Sequence, residues 1–195
     1  MPPPRDLHKG LPVLPFDSKA SWRAWLQRNH DKVTGLWLKL AKKGTGVPTV
    51  TYEEAREVAL AFGWVDGLIN RGDETSYLLR FTPRRPRSKW SKINRAIVEG
   101  LIASGAMEKA GLVEVEKARA DGRWSAAYDP PSTIAPHPDL ARALRASPAA
   151  EEAFAGLTRS KRFAIISRVN DLKREETRRR RVAEIVEALA RGELP

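Results

Sequence analysis

Apolar residues recur along this chain at two periods, and the switches between them outline its elements. Trp22, Trp25 and Leu26 follow the i, i+3, i+4 spacing of a helix, which Asp17 or Ser18 can cap and Asn29-His30 ends. Gly35-Leu36-Trp37-Leu38-Lys39-Leu40 is a strand candidate, followed by a turn at Lys42-Lys43-Gly44-Thr45-Gly46. Thr51-Tyr52-Glu53-Glu54 matches a capping box, in which Glu54 reaches back to the Thr51 backbone. It predicts a helix through Ala55, Val58, Ala59 and Phe62 that stops at Gly63. Trp64–Asn70 and Ser76–Thr82 read as two strands joined by Arg71-Gly72-Asp73-Glu74, a connection with hairpin chemistry.

From Ser91 onward the period is helical. Ile93, Ile97, Val98, Leu101 and Ile102 form one stripe, and Met107–Ala118 a second segment before Asp121-Gly122-Arg123-Trp124. The stretch 129–138 is rich in proline and reads as a linker. Beyond it come Asp139–Ala146, a helix opened by Ser147-Pro148, and a pair over Thr158–Leu172 and Glu175–Arg191 closed by Gly192. The fold class expected is therefore α+β: a small, mostly antiparallel sheet with packed helices, followed by a C-terminal helical bundle. The organisation expected is 1–128 as an α+β domain, 129–138 as linker and 139–195 as the helical region. Residues 1–16, with prolines at 2–4, 12 and 15, read as an extended lead-in.

The bulk numbers narrow the class. The chain has 195 residues, 42% hydrophobic and 30% charged, which suits a globular protein with a real core. The longest apolar runs, such as Ala59–Trp64, fall far short of the roughly 20 residues that span a bilayer. The opening Met1-Pro2-Pro3-Pro4-Arg5-Asp6 lacks the apolar core of a secretory signal, so a cytoplasmic location is expected. With no cysteine there are no disulfides and no thiolate metal sites. His8, His30 and His137 stand at no metal-ligand spacing, so neither metal nor cofactor is expected. Lys+Arg 35 against Asp+Glu 24 gives a net charge of +11, a balance that favours polyanionic partners or else reflects an arginine-rich composition.

One segment concentrates chemistry: Gly63-Trp64-Val65-Asp66-Gly67, then Arg80-Phe81-Thr82-Pro83-Arg84, then Ser88-Lys89-Trp90-Ser91-Lys92-Ile93-Asn94. Side chains alternate along a strand, so Arg80 and Thr82 share a face, as do Trp64 and Asp66 on the partner strand. A site of Asp66, Arg80 and Thr82 is expected there, capped by the start of the helix near Ser91 and Asn94, whose free N–H groups favour anions. Arg84, Ser88 and Trp90 flank it, and an arginine fork can grip phosphate or carboxylate through two bonds. The bland alternative makes Asp66–Arg80 an ion pair, Trp64 and Trp90 core, Ser91 a helix cap and the Arg84–Lys89 run a solvated loop. Asp121-Gly122 reads as a turn with Trp124 as an anchor, unless Asp121 and Arg123 fold back to the same site.

These motifs, with Asp121-Gly122-Arg123-Trp124 and the tail residues Glu176-Thr177-Arg178, Arg181 and Gly192, resemble the YdeI/OmpD-associated bacteriocin-protection family. The resemblance implies a role in resisting bacteriocins or cationic peptides and, by name alone, an association with a porin.

Three functional readings follow. The favoured one is a non-enzymatic resistance protein that holds a small anionic ligand through Arg80, Arg84 and the Ser88–Asn94 segment. A second is an enzyme on a phosphorylated or carboxylated small molecule, with Asp66 as general base and Arg80 as charge stabiliser. A third is sequence-independent nucleic-acid binding, in which Lys173-Arg174 and Arg178–Arg181 could also join. Glu175, Glu176, Glu184 and Glu187 interleave with that last cluster at helical spacing, which suggests ion pairs and a solvated face.

Overall fold

A computed structural model of the chain describes residues 6–195. Two compact units divide it, Met1–Ala127 and Tyr128–Pro195. The first is a five-stranded sheet with helices, the second is helical, and the class is α+β. Among the described residues no helix is long and apolar enough to cross a membrane.

In the first unit the sheet runs β1 (Leu7–His8), β2 (Leu11–Pro15), β3 (Leu36–Ala41), β5 (Ser76–Pro83), β4 (Trp64–Arg71). Only β2 and β3 are parallel, and α1 (Lys19–Asn29) connects them. The hairpin β1–β2 corrects the extended lead-in. Its prolines stand near the ends of β2, Pro12 opposite Leu7 of β1 and Pro15 opposite Lys39 of β3, so each faces one neighbouring strand and a missing N–H costs little. Pro2–Pro4 lie outside the described residues.

Local chemistry sets the helix starts. Ser18 caps α1 through Ser21, and Thr51 and Glu54 form the capping box of α2 (Tyr52–Ala61). Ser91 caps α3 (Lys92–Ala103), and α4 (Lys109–Ala120) follows. Gly111 of α4 lies so close to α2 that a Cβ there would sit 2.2 Å from the Ala61 carbonyl oxygen.

Leu36, Leu38 and Leu40 of β3 and Leu79 and Phe81 of β5 turn one sheet face towards the helices. Trp22 and Trp25 stack there at 5.6 Å, and Trp64 stands edge-on to Trp25 at 6.1 Å. Two of the buried indoles keep their hydrogen bonds: Trp22 donates to the Ala55 carbonyl at 3.0 Å and Trp64 to that of His30 at 3.1 Å.

The other face is concave. In a flat five-stranded sheet the edges would be about 19 Å apart, four steps of ~4.8 Å. Yet His8 on one edge meets Asn70 on the other. With the Asn70 amide oxygen turned towards it, His8 Nε2 donates to Asn70 at 2.7 Å. Trp37 lies beneath, 1% exposed, with the His8 ring edge-on at 4.8 Å.

The second unit contains α5 (Pro138–Arg145), α6 (Pro148–Gly156), α7 (Arg159–Asn170) and α8 (Glu175–Ala190). Leu140, Leu144, Ile165, Ile166, Val169, Val182, Ile185 and Leu189 form its core. Arg178 of α8 donates to Asp139 of α5 at 2.9 Å and to the Leu172 carbonyl at 3.0 Å. The neighbouring arginines are matched by acids: Arg179 pairs with Glu175 at 2.5 Å and Arg181 with Glu184 at 2.8 Å.

Candidate functional site

The register separates the residues expected to form one site. Asp66 lies opposite Phe81, and Phe81 belongs to the helix-facing core. Arg80 lies opposite Trp37, and Thr82 opposite Val65, on the concave face. The site of Asp66, Arg80 and Thr82 is therefore not formed, because a strand pairing with Asp66 opposite Phe81 sends Arg80 and Thr82 to the other side of the sheet. Asp66 instead accepts a hydrogen bond from Tyr52 at 3.0 Å. Burial, and then the charge of Asp66, push the Tyr52 hydroxyl up to about 12. Trp64 is 1% exposed and committed to the core, so it lines no accessible site.

The residues after β5 do gather. Arg84 is 7% exposed and lies over the ring of Trp90, with its guanidinium carbon 3.5 Å from the centroid and Nη1 donating to the Lys89 carbonyl at 3.1 Å. Trp90 is itself buried and meets Trp124 at 4.8 Å. Arg123 donates through Nη1 to the Ser88 carbonyl at 2.9 Å and through Nε to the Asp121 carboxylate at 2.7 Å. Hence Trp124 is an anchor, and Arg123 also reaches the basic loop. Ser88 contributes its backbone carbonyl. Ser91 is buried, and its hydroxyl oxygen accepts the Asn94 backbone N–H at 3.1 Å, which ties both to capping.

Together these contacts frame a cleft of about 470 Å³, lined by Arg84, Arg87, Glu114, Lys117, Asp121 and Arg123 among others. Four cations face two carboxylates. Lys117 is paired with Glu114 at 2.8 Å, and the hydrogen bond from Arg123 holds the Asp121 carboxyl below its ordinary range. Arg87 has no ion pair among the described residues and adopts a left-handed backbone, φ +69°. That conformation costs a residue other than glycine about 1–2 kcal/mol.

Sequence reasoning missed Lys117 and Glu114, whose only signal was an i, i+3 pair on a helix surface. It met Arg87 only in the alternative that made the Arg84–Lys89 run a solvated loop. A usable signal was present: from Thr75 to Val98 the chain has seven lysines and arginines and no carboxylate. Among the described residues no cluster of three His, Cys, Asp or Glu could hold a metal ion.

With this geometry in view, the comparisons with known proteins divide the chain in two. Residues 14–114, just over half of it, match a domain of unknown function (DUF8412). Residues 133–192 match the family described as bacteriocin-protection, YdeI or OmpD-associated. The chain belongs to the first family, and its C-terminal unit matches the second. The YdeI/OmpD-associated match falls on the α5–α8 helices, whereas most of the motifs that suggested it lie in the sheet unit. No curated protein and no solved structure matches the chain.

Proposed function

We propose that this chain, whose C-terminal unit matches the YdeI/OmpD-associated family, is a cytoplasmic binding protein of the bacteriocin-protection type, and that its sheet unit holds a phosphate- or carboxylate-bearing ligand in the cleft of Arg84, Arg87, Lys117 and Arg123. The observation that carries the reading is the excess of cations over carboxylates in one concave site, lined by Arg84, which is fixed by Trp90, and by Arg87, which has no ion pair among the described residues. A guanidinium held by stacking loses little entropy when it binds an oxyanion, so the site is prepared for one. The left-handed backbone of Arg87 fits the same reading, since strain of this kind concentrates at ligand sites. The C-terminal end of α4 lies in the cleft wall and would repel an anion through its carbonyls. The turn after it offsets this: Asp121 N–H bonds the Lys117 carbonyl at 3.1 Å and Trp124 N–H that of Ala118 at 2.9 Å.

Isothermal titration with inorganic phosphate, citrate and a short single-stranded DNA at fixed ionic strength tests the proposal. Saturable binding of phosphate or citrate by the wild type, lost in Arg87→Ala and Arg123→Ala, is the expected result. Binding of DNA alone, falling steeply with salt and unchanged in both variants, would replace the cleft with diffuse charge as the basis of binding.

A further inference from the structure

We propose that the concave face of the sheet is a second and separate ligand site, which takes a small carboxylate with an apolar body and anchors it on Arg80. Arg80 stands in the middle of the sheet, directly opposite Trp37, which in turn pairs with Val13. It is only partly exposed, and its Nε is buried without a hydrogen-bond partner. Among the described residues Arg80 makes no ion pair. A buried donor on a charged group is normally matched, because leaving it unmatched forfeits its hydration with nothing in return.

A second donor lies in the same row. Trp37 is 1% exposed, and its Nε1 is likewise buried without a partner. This contrasts with Trp22 and Trp64, whose indole N–H groups both find carbonyls. Two unmatched donors on adjacent strands, about 5 Å apart at their Cβ atoms, are spaced to be bridged by one small acceptor group. On the far side of Arg80 lies exposed Gly67, where even an added Cβ would come no closer than 3.6 Å to Nε. The missing side chain leaves room beside the guanidinium.

Charge selects the acceptor. Of the other cations here, Lys39 is already paired with Asp73 at 2.9 Å, and Lys9, which donates to the Asn70 oxygen at 3.2 Å, is matched in number by Asp6 in the groove wall. That leaves one uncompensated positive charge, which a monoanion neutralises and a phosphate dianion would overrun. The planar guanidinium fork suits a planar carboxylate. One row along the same face lies a groove of about 490 Å³, whose apolar side chains Leu7, Val13 and Leu78 would take the body of the ligand, with Asp6, Ser76 and the Lys39–Asp73 pair in its polar lining. His8, held to Asn70, covers Trp37 and is the gate through which the ligand reaches it.

Indole resonances in nitrogen-15 correlation spectra provide the test. The six tryptophans give separate Nε1–H signals, and Trp37→Phe identifies the one that matters. Benzoate and inorganic phosphate are titrated at constant ionic strength into the full chain. The expected result is a saturable shift of the Trp37 signal with benzoate, with a Kd on the order of 1 mM. It weakens about ten-fold or more in Arg80→Gln, weakens also in Arg80→Lys, which keeps the charge but loses the fork, and is unchanged in Arg87→Ala. The last variant removes a cation from the cleft proposed above, so the two sites fail separately. No saturable benzoate shift, an undiminished shift in both Arg80 variants, or tighter binding of phosphate than of benzoate would each overturn the proposal.

Discussion

Arg84 lies over the Trp90 ring, its guanidinium carbon 3.5 Å from the centroid, and the same group donates to the Lys89 carbonyl at 3.1 Å. A planar guanidinium can cover the ring and donate from its edge at once, which a lysine ammonium cannot match. Arg84→Lys should therefore destabilise the sheet unit by about 1–2 kcal/mol. All six tryptophans lie in that unit, so a urea titration followed by their fluorescence reports on it alone. Arg85→Lys, at an exposed position next door, should stay within about 0.5 kcal/mol of wild type. Equal midpoints for the two variants would mean that the stack contributes nothing.

Two glycines on helices should respond in opposite directions. A Cβ on Gly111 would lie 2.2 Å from the Ala61 carbonyl oxygen, a backbone atom that cannot step aside without moving α2. Gly111→Ala is expected to cost about 3 kcal/mol or more. Gly100 sits within α3 with nothing near its missing side chain. Gly100→Ala should stabilise by about 0.5–1 kcal/mol, through a smaller entropy loss on folding. Thermal unfolding of both variants, run together, checks the pair.

The elements of the sheet unit were legible from local chemistry. The Thr51–Glu54 capping box, the Ser91 cap and the strand alternation around Phe81 act within a few residues of themselves. What one sequence does not reveal is which strand pairs with which, and in what register. Arg80 and Asp66 each have the right alternation, yet the pairing of Asp66 with Phe81 places them on opposite faces. The hairpin β1–β2 was hidden by its prolines, which read as lead-in but are tolerated near the ends of a strand. In the cleft, Arg84 and Arg123 were readable as candidates. Lys117 was not, because its place in the cleft wall depends on how α4 packs and on no motif of its own.

Tyr52 and Asp66 share a hydrogen bond of 3.0 Å, and the tyrosine ionises at about 12 in the folded chain. Burial is the first cause and the Asp66 charge the second, while Arg56 opposes them. Asp66→Asn should lower the Tyr52 value but leave it above 10, the ordinary value, because burial remains. A raised tyrosine keeps its proton where the unfolded chain has lost it. Its contribution to stability is therefore full below pH 10 and declines as pH climbs towards 12. An ultraviolet difference titration of wild type, Tyr52→Phe and Asp66→Asn isolates the group. An unmoved Tyr52 in Asp66→Asn would show that the two do not interact in solution.

Asp139 joins α5 to α8 through Arg178 at 2.9 Å and also meets Arg142 at 2.7 Å. The hydrogen bond from Arg178, followed by the charges of His137, Arg178 and Arg142, holds the Asp139 carboxyl below its ordinary value of 3.8. A carboxyl depressed in the folded state stabilises it fully above the unfolded value, and the effect is lost as pH falls through the folded one. Asp139→Asn should thus lower the urea midpoint of the helical unit at neutral pH. The gap from wild type should close as the solution is acidified below 3.8. That unit contains no tryptophan, so far-ultraviolet circular dichroism must follow it, read as the part of the transition that tryptophan fluorescence does not report. A gap that persists undiminished into strong acid would mean that Asp139 acts through its shape and hydrogen bonding, with its charge making no contribution.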